Sequence, residues 1–235
     1  MGQPHAIMIH GSGGDHRVWA PLSARVRGAV ALDLPGHPDG PAESDLATLG
    51  SVVGGALDTI NGPRVLVGHS LGGAVALEVA RTRPDLVDGL VIISSAARLP
   101  VPDTAIARAR DDFAAERERL MTGSFSDPDQ RIARGAREAL DSCGARTLLA
   151  DYAACRSVDL RGALGEVRAP ALLIAGDDDP FTPARFTQEL ARELAISRMV
   201  VIPGARHMPM IEFAPTVAML LAAFLARLEL TGCEE

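Results

Sequence analysis

Apolar residues concentrate in short runs at residues 6–9, 29–32, 64–67, 89–93, 170–175 and 198–202. Most are rich in Val, Ile, Leu and Ala and do not alternate with polar residues, as expected for strands covered on both faces. The stretches between them repeat their apolar positions at helical spacing. Residues 45–61 form one such stretch. Residues 71–83 form another, with Pro84 as its stop, and residues 183–194 open with Pro183 at a first-turn position. Phe213, Val217, Leu220, Leu221, Phe224 and Leu228 mark one face of a final helix, and residues 231–235 read as a frayed tail. Strand and helix in alternation predict an α/β fold: a mostly parallel sheet of about six strands with helices on both faces.

Residues 98–165 break the alternation. They contain no strand pattern, only polar helical stretches with a loop at residues 124–128, and they read as an inserted helical cap. The α/β core is then residues 1–97 and 166–235. A chain of 235 residues suits one such domain with a small insertion.

Composition narrows the classes. With 47% apolar and 23% charged residues the chain is neither disordered nor fibrous. No apolar run reaches the roughly 18 residues of a membrane span. No basic stretch followed by an apolar one opens the chain, so no secretory signal is expected. The net charge of −7 argues against a nucleic-acid partner. All 23 basic residues are Arg, and the 98–165 segment balances eleven of them with eleven carboxylates, so its charge gives no sign of steering an anionic substrate. Cys143, Cys155 and Cys233 show no CxxC spacing and cannot all pair, which predicts free thiols in a reducing cytoplasm. Without HExxH or a clustered HxH, neither metal nor other cofactor is expected.

The candidate chemistry lies at the ends of the predicted strands. Gly68-His69-Ser70-Leu71-Gly72 follows one strand and opens a helix. A serine on so sharp a turn is held exposed in a strained backbone, and its neighbours two before and two after must be tiny. The plain alternative is a βα turn with Ser70 as a helix N-cap. His10-Gly11-Ser12-Gly13-Gly14 follows the first strand, where a glycine-rich turn frees N–H groups. An acyl-transfer serine needs two such donors for its oxyanion, here the N–H groups of Ser12 and Leu71. A phosphate cradle is the rival, but neither a full GxGxxG nor GK[ST] is present. Further on come Asp177-Asp178-Asp179-Pro180 and then Gly204-Ala205-Arg206-His207, each after a strand. His207 is the candidate base. A carboxylate must hold its tautomer, and spacing does not choose among the three aspartates.

In these motifs and their order the chain resembles the serine-hydrolase branch of the α/β-hydrolase superfamily, notably its small capped esterases. The likeness runs from Ala6 to about Leu228 and is weakest through the cap. It includes Asp33-Leu34-Pro35-Gly36-His37 after the second strand. The resemblance selects Asp179 as the acid, with Asp103 as a weaker alternative. It also implies that His10 braces the oxyanion loop and that His69 packs beneath the turn. Two departures stand out. The family's two preceding strands have no counterpart, which leaves a sheet edge exposed or covered by a partner such as a second copy of the chain. The turn after His37 continues Pro38-Asp39-Gly40-Pro41 where the family has a small residue, and no catalytic role is assigned to it. Asp15-His16 is an adjacent pair and a poor dyad. Trp19, Phe181 and Met208, with Met210 nearby, are candidates to line an acyl pocket.

The resemblance implies a serine hydrolase of carboxylic esters or thioesters acting on a small acyl substrate. Carbon–carbon bond hydrolysis, lyase or perhydrolase chemistry would use the same three residues, although carbon–carbon hydrolases often carry Asn where this chain has His69. A non-catalytic ligand receptor on the same fold is disfavoured because every expected site residue is present.

Overall fold

A computed structural model describes residues 5–231. Of the tail expected at 231–235, Thr231 ends the last helix, and residues 232–235, with Cys233, lie outside the described residues. Six parallel strands form one sheet: β1 (His5–Ile9), β2 (Val30–Leu32), β3 (Arg64–His69), β4 (Gly89–Ile93), β5 (Ala171–Gly176) and β6 (Ser197–Ile202), in the order β2-β1-β3-β4-β5-β6. β3 runs two residues past its apolar core because Gly68 and His69 still pair with Ile92 and Ile93. His5 begins β1. β2 is an edge strand of three residues with Val30 exposed, too short to template much pairing.

The short α1 (Ala20–Ser23) follows a 3₁₀ turn at His16–Trp19. α2 (Leu46–Leu57) is shorter than its pattern, starting where the Asp45 carboxylate accepts the Thr48 N–H. α3 (Leu71–Thr82) leads from β3, and α7 (Ala184–Glu193) uses Pro183 as its N-cap, one place earlier than expected. α8 (Pro209–Glu212) and α9 (Ala214–Thr231) close the chain.

The strands' period of two splits the core between the faces of the sheet. Ile7, Ile9 and Leu66 pack with α2 and α3, while Ala6, Met8, Val65 and Val67 pack with Trp19 and with Val217 and Leu221 of α9. Between β4 and β5 the described chain is helical: α4 (Asp103–Asp111), α5 (Phe113–Ser124) and α6 (Arg134–Ser157). α5 includes Ser124, and Phe125 is buried, so the loop expected at 124–128 starts later and is anchored. α6 breaks at Gly144, whose φ of 68° suits glycine. This segment sends side chains into both cores, Ala154 and Cys155 to one, Leu140, Leu148 and Tyr152 to the other. Among the described residues no helix is long and apolar enough to cross a membrane.

Candidate active site

The turn from β3 to α3 places Ser70 at φ 51°, ψ −116°. That strained conformation is held from three sides. The Ser70 N–H donates to Ile93 O at 3.0 Å, and the Ser70 carbonyl accepts from Ser95 Oγ at 2.7 Å and from the Gly73 N–H at 2.9 Å. A Cβ at Gly68 would stand 2.3 Å from Gly72 O, and one at Gly72 would stand 2.2 Å from Ile9 O. Both obstacles are backbone, so neither can rotate away. Gly72→Ala is therefore expected to cost about 3 kcal/mol or more, read as a fall in the urea midpoint. A midpoint equal to wild type would show that the close approach is not needed.

Ser70 and His207 line one cavity of about 1040 Å³, at the upper end of small-molecule sites. The loop after β6 carries His207, whose Nδ1 lies 2.8 Å from Asp179 Oδ2 in the loop after β5. Asp179 is buried and receives four donors. The N–H groups of Phe181 and Thr182 reach Oδ1 at 2.8 and 3.0 Å, while Thr182 Oγ1 reaches Oδ2 at 2.7 Å beside the His207 Nδ1–H. Burial alone would raise the carboxyl pKa. The nearby His207 and these hydrogen bonds outweigh it and hold Asp179 well below the usual carboxylate range.

The other carboxylates stand elsewhere. Asp177 accepts the Gly204 N–H at 2.6 Å and ties the two loops together, and Asp178 is exposed. Asp103 is exposed at the start of α4, paired with Arg156. Asp15 binds Arg17, and His16 binds Asp33 at 2.9 Å, so the hydrogen bonds of Asp15 and His16 go to other partners and the two do not form a dyad.

Leu71 is the first residue of α3, a position whose N–H has no intrahelical acceptor. Ser12 lies on the cavity wall with its hydroxyl 3.3 Å from Cys155 Sγ. His69 donates from Nε2 to the His207 carbonyl at 2.9 Å, and burial, then the neighbouring His207, push its pKa down to about 3. A neutral ring holding the His207 backbone is a positioning element. Phe181 and Met208 line the cavity, with Phe181 edge-on to His207 at 5.1 Å. Trp19 and Met210 do not. Both are fully buried in the core, because the turn carrying Trp19 packs under the sheet.

Sequence reasoning missed three features. Thr182 caps the acid. His37, Cys143 and Asp151 converge in the interior with donor atoms within 4.8 Å, as do Asp15, His16 and Asp33 nearer the surface, although no linear spacing announces either group. Third, the cavity wall carries Arg98, Arg119, Arg156, Arg161 and Arg185 against one carboxylate, Glu189, although the 98–165 segment is neutral as a whole. The fold gathers these cations from four separated stretches, while the carboxylates that pair with Arg119, Arg156 and Arg161 (Glu116, Asp103 and Asp159) do not line the cavity.

The sequence profile of the alpha/beta hydrolase family matches residues 6–219. A pimeloyl-(acyl-carrier protein) methyl ester esterase of Neisseria meningitidis serogroup A is 32% identical over 92% of this chain and 75% of its own. Its counterpart from Methylococcus capsulatus is 30% identical, covering 95% of both. Among solved structures, a thermophilic esterase superposes with a TM-score of 0.87 at 28% identity, over 95% of this chain and 90% of its own.

Proposed function

The chain belongs to the alpha/beta hydrolase family and is an ester-cleaving enzyme, and we propose that Ser70, His207 and Asp179 carry the reaction as a nucleophile–base–acid triad. The observation that carries this reading is the serine held at φ 51° at a helix start, on the same cavity as a histidine whose far nitrogen is bound by a buried, four-donor carboxylate. His207 Nε2 removes the Ser70 proton as Oγ attacks the ester carbonyl. The N–H groups of Ser12 and Leu71 hold the oxyanion, and His207 returns the proton to the departing alkoxide. Water, deprotonated by the same Nε2, then adds to the acyl-enzyme, and its collapse frees the acid and Ser70. A p-nitrophenyl ester assay with stoichiometric labelling by a fluorophosphonate tests this. Turnover and one label per chain are expected, and an unlabelled, inactive folded protein would overturn it.

The arginine-rich wall refines the substrate to an ester bearing an anionic group away from the scissile carbonyl. Among the described residues Arg98 and Arg185 make no ion-pair contact with a carboxylate, although Arg98 acts at longer range on Asp159 and Arg185 stacks over Phe186, so they are the wall cations not held in a salt bridge. Arg119, by contrast, is committed to an ion pair with Glu116. Replacing both Arg98 and Arg185 by Glu is expected to raise KM for a monomethyl dicarboxylate about tenfold or more, the equivalent of about 1.4 kcal/mol, while an uncharged methyl ester of equal length keeps its KM. Equal changes for both esters would remove the refinement.

A further inference from the structure

The loop that presents Ser12 is held from the interior by a residue of the helical segment. The Gly13 N–H donates to Asp151 Oδ2 at 2.7 Å, and His37 Nε2 lies 3.1 Å from the same oxygen. Asp151 sits on α6, in the half after the Gly144 break, and both side chains are buried. The other ring nitrogen of His37, Nδ1, lies 3.2 Å from the Pro35 carbonyl. Each ring nitrogen thus faces an oxygen acceptor. A neutral imidazole has one N–H and satisfies one of them, whereas an imidazolium satisfies both.

The surroundings agree with a cation there. Burial lowers the His37 pKa, but the Asp151 hydrogen bond and charge more than reverse this, and the net shift is upward. His10, its ring 4.6 Å away, adds no competing charge. It accepts the Leu34 N–H at Nε2 and faces Gly11 O from Nδ1, and burial together with His37 pushes its pKa down to about 4. Cys143 Sγ, 3.7 Å from His37 Nε2, is a buried thiol whose pKa is pushed far up, so it stays neutral. An imidazolium here would have no lone pair to offer a metal.

These contacts bear on Ser12 through peptide planarity. In a trans peptide the C=O and the following N–H point in opposite directions. The Gly11 carbonyl, held by His10 Nδ1–H at 2.9 Å and by the Gly14 N–H at 3.0 Å, therefore aims the Ser12 N–H. The next peptide, Ser12–Gly13, is fixed by its own N–H on Asp151.

Resting on the triad reading above, we propose that Asp151, paired with a His37 imidazolium, is a positioning residue that fixes the Ser12–Gly13 peptide, and so supports the adjoining Ser12 N–H as an oxyanion donor, and couples α6 to the catalytic loop. The pair joins three elements, the loops after β1 and β2 and helix α6, at one oxygen. A substrate that shifts α6 would thereby move the oxyanion hole.

The test measures Asp151→Asn and Asp151→Ala against wild type. Asn keeps an oxygen for the Gly13 N–H but loses the charge facing His37, whereas Ala loses both. In Asp151→Ala, kcat is expected to fall about 100-fold, the scale of a misplaced catalytic donor, and less in Asp151→Asn, with KM within about threefold in both. Affinity for a trifluoromethyl ketone, which forms an oxyanion adduct on the serine, should fall in parallel with kcat. Affinity for the product alcohol should not. Nitrogen-15 spectra of the imidazoles at pH 7, assigned by loss of a signal in His37→Gln, should show both His37 nitrogens protonated in wild type. Wild-type kcat in a folded Asp151→Ala, or a neutral His37 in the wild-type protein, overturns the proposal. If Asp151→Ala does not fold, Asp151→Asn and the spectra decide. Turnover that survives Ser70→Ala would sink the triad reading instead and leave the imidazolium result standing.

Discussion

Ser70→Ala is expected to lower kcat by roughly five to six orders of magnitude, with KM for a p-nitrophenyl ester nearly unchanged. The substitution removes one oxygen and leaves the Cβ, so the backbone at φ 51° and its bonds to Ile93, Ser95 and Gly73 persist, and the fold should hold. The surviving rate would come from the N–H groups of Ser12 and Leu71 and from His207 acting on water directly. Fluorophosphonate labelling should vanish with turnover. Asp103→Asn provides the contrast, since Asp103 is exposed at the start of α4 and bound to Arg156. Its kcat should stay within about twofold of wild type, the usual range for a surface change. A Ser70→Ala protein within tenfold of wild type would remove Ser70 from the mechanism.

What could be read from the linear chain follows from the range of the forces involved. Strands announce themselves because burial on both faces demands unbroken apolar runs, and the turn at Ser70 does so because close backbone approach demands Gly68 and Gly72. Choosing Asp179 over Asp177 and Asp178 needed the family resemblance. The three share a tripeptide, and only the folded loop shows that one is buried under four donors while another caps the Gly204 N–H. Trp19 went astray for a related reason, since sequence proximity to a catalytic loop does not say which side of the sheet a ring faces. The Asp151–His37 pair spans 114 residues and belongs to no periodic pattern. The arginines on the cavity wall are diluted by neutral bookkeeping over the whole segment. Local constraints were legible, and long-range convergence was not.

Asp179→Asn is expected to reduce kcat about 10⁴-fold with little change in KM, through the tautomer of His207. The wild-type carboxylate is a pure acceptor and meets four donors. An amide has one oxygen. If it stays with the two backbone N–H groups of Phe181 and Thr182, the NH₂ faces Thr182 Oγ1 and His207 Nδ1. His207 must then offer Nδ1 as an acceptor, and its proton moves to Nε2, the atom that has to receive the Ser70 proton. Stability should separate the two proteins in a pH-dependent way. Because the folded-state pKa of Asp179 lies below its ordinary value of 3.8, its ionised form favours folding above that value, and the contribution drains away as pH falls through the lowered folded value. Asparagine carries no such dependence. The gap in thermal midpoint, wild type above Asp179→Asn, should be constant from pH 8 to about pH 5 so far as this group is concerned, and close below pH 4. A gap that widens on acidification would mean that Asp179 is protonated in the folded protein, and a carboxylic acid in that position could not stabilise the imidazolium that forms on His207.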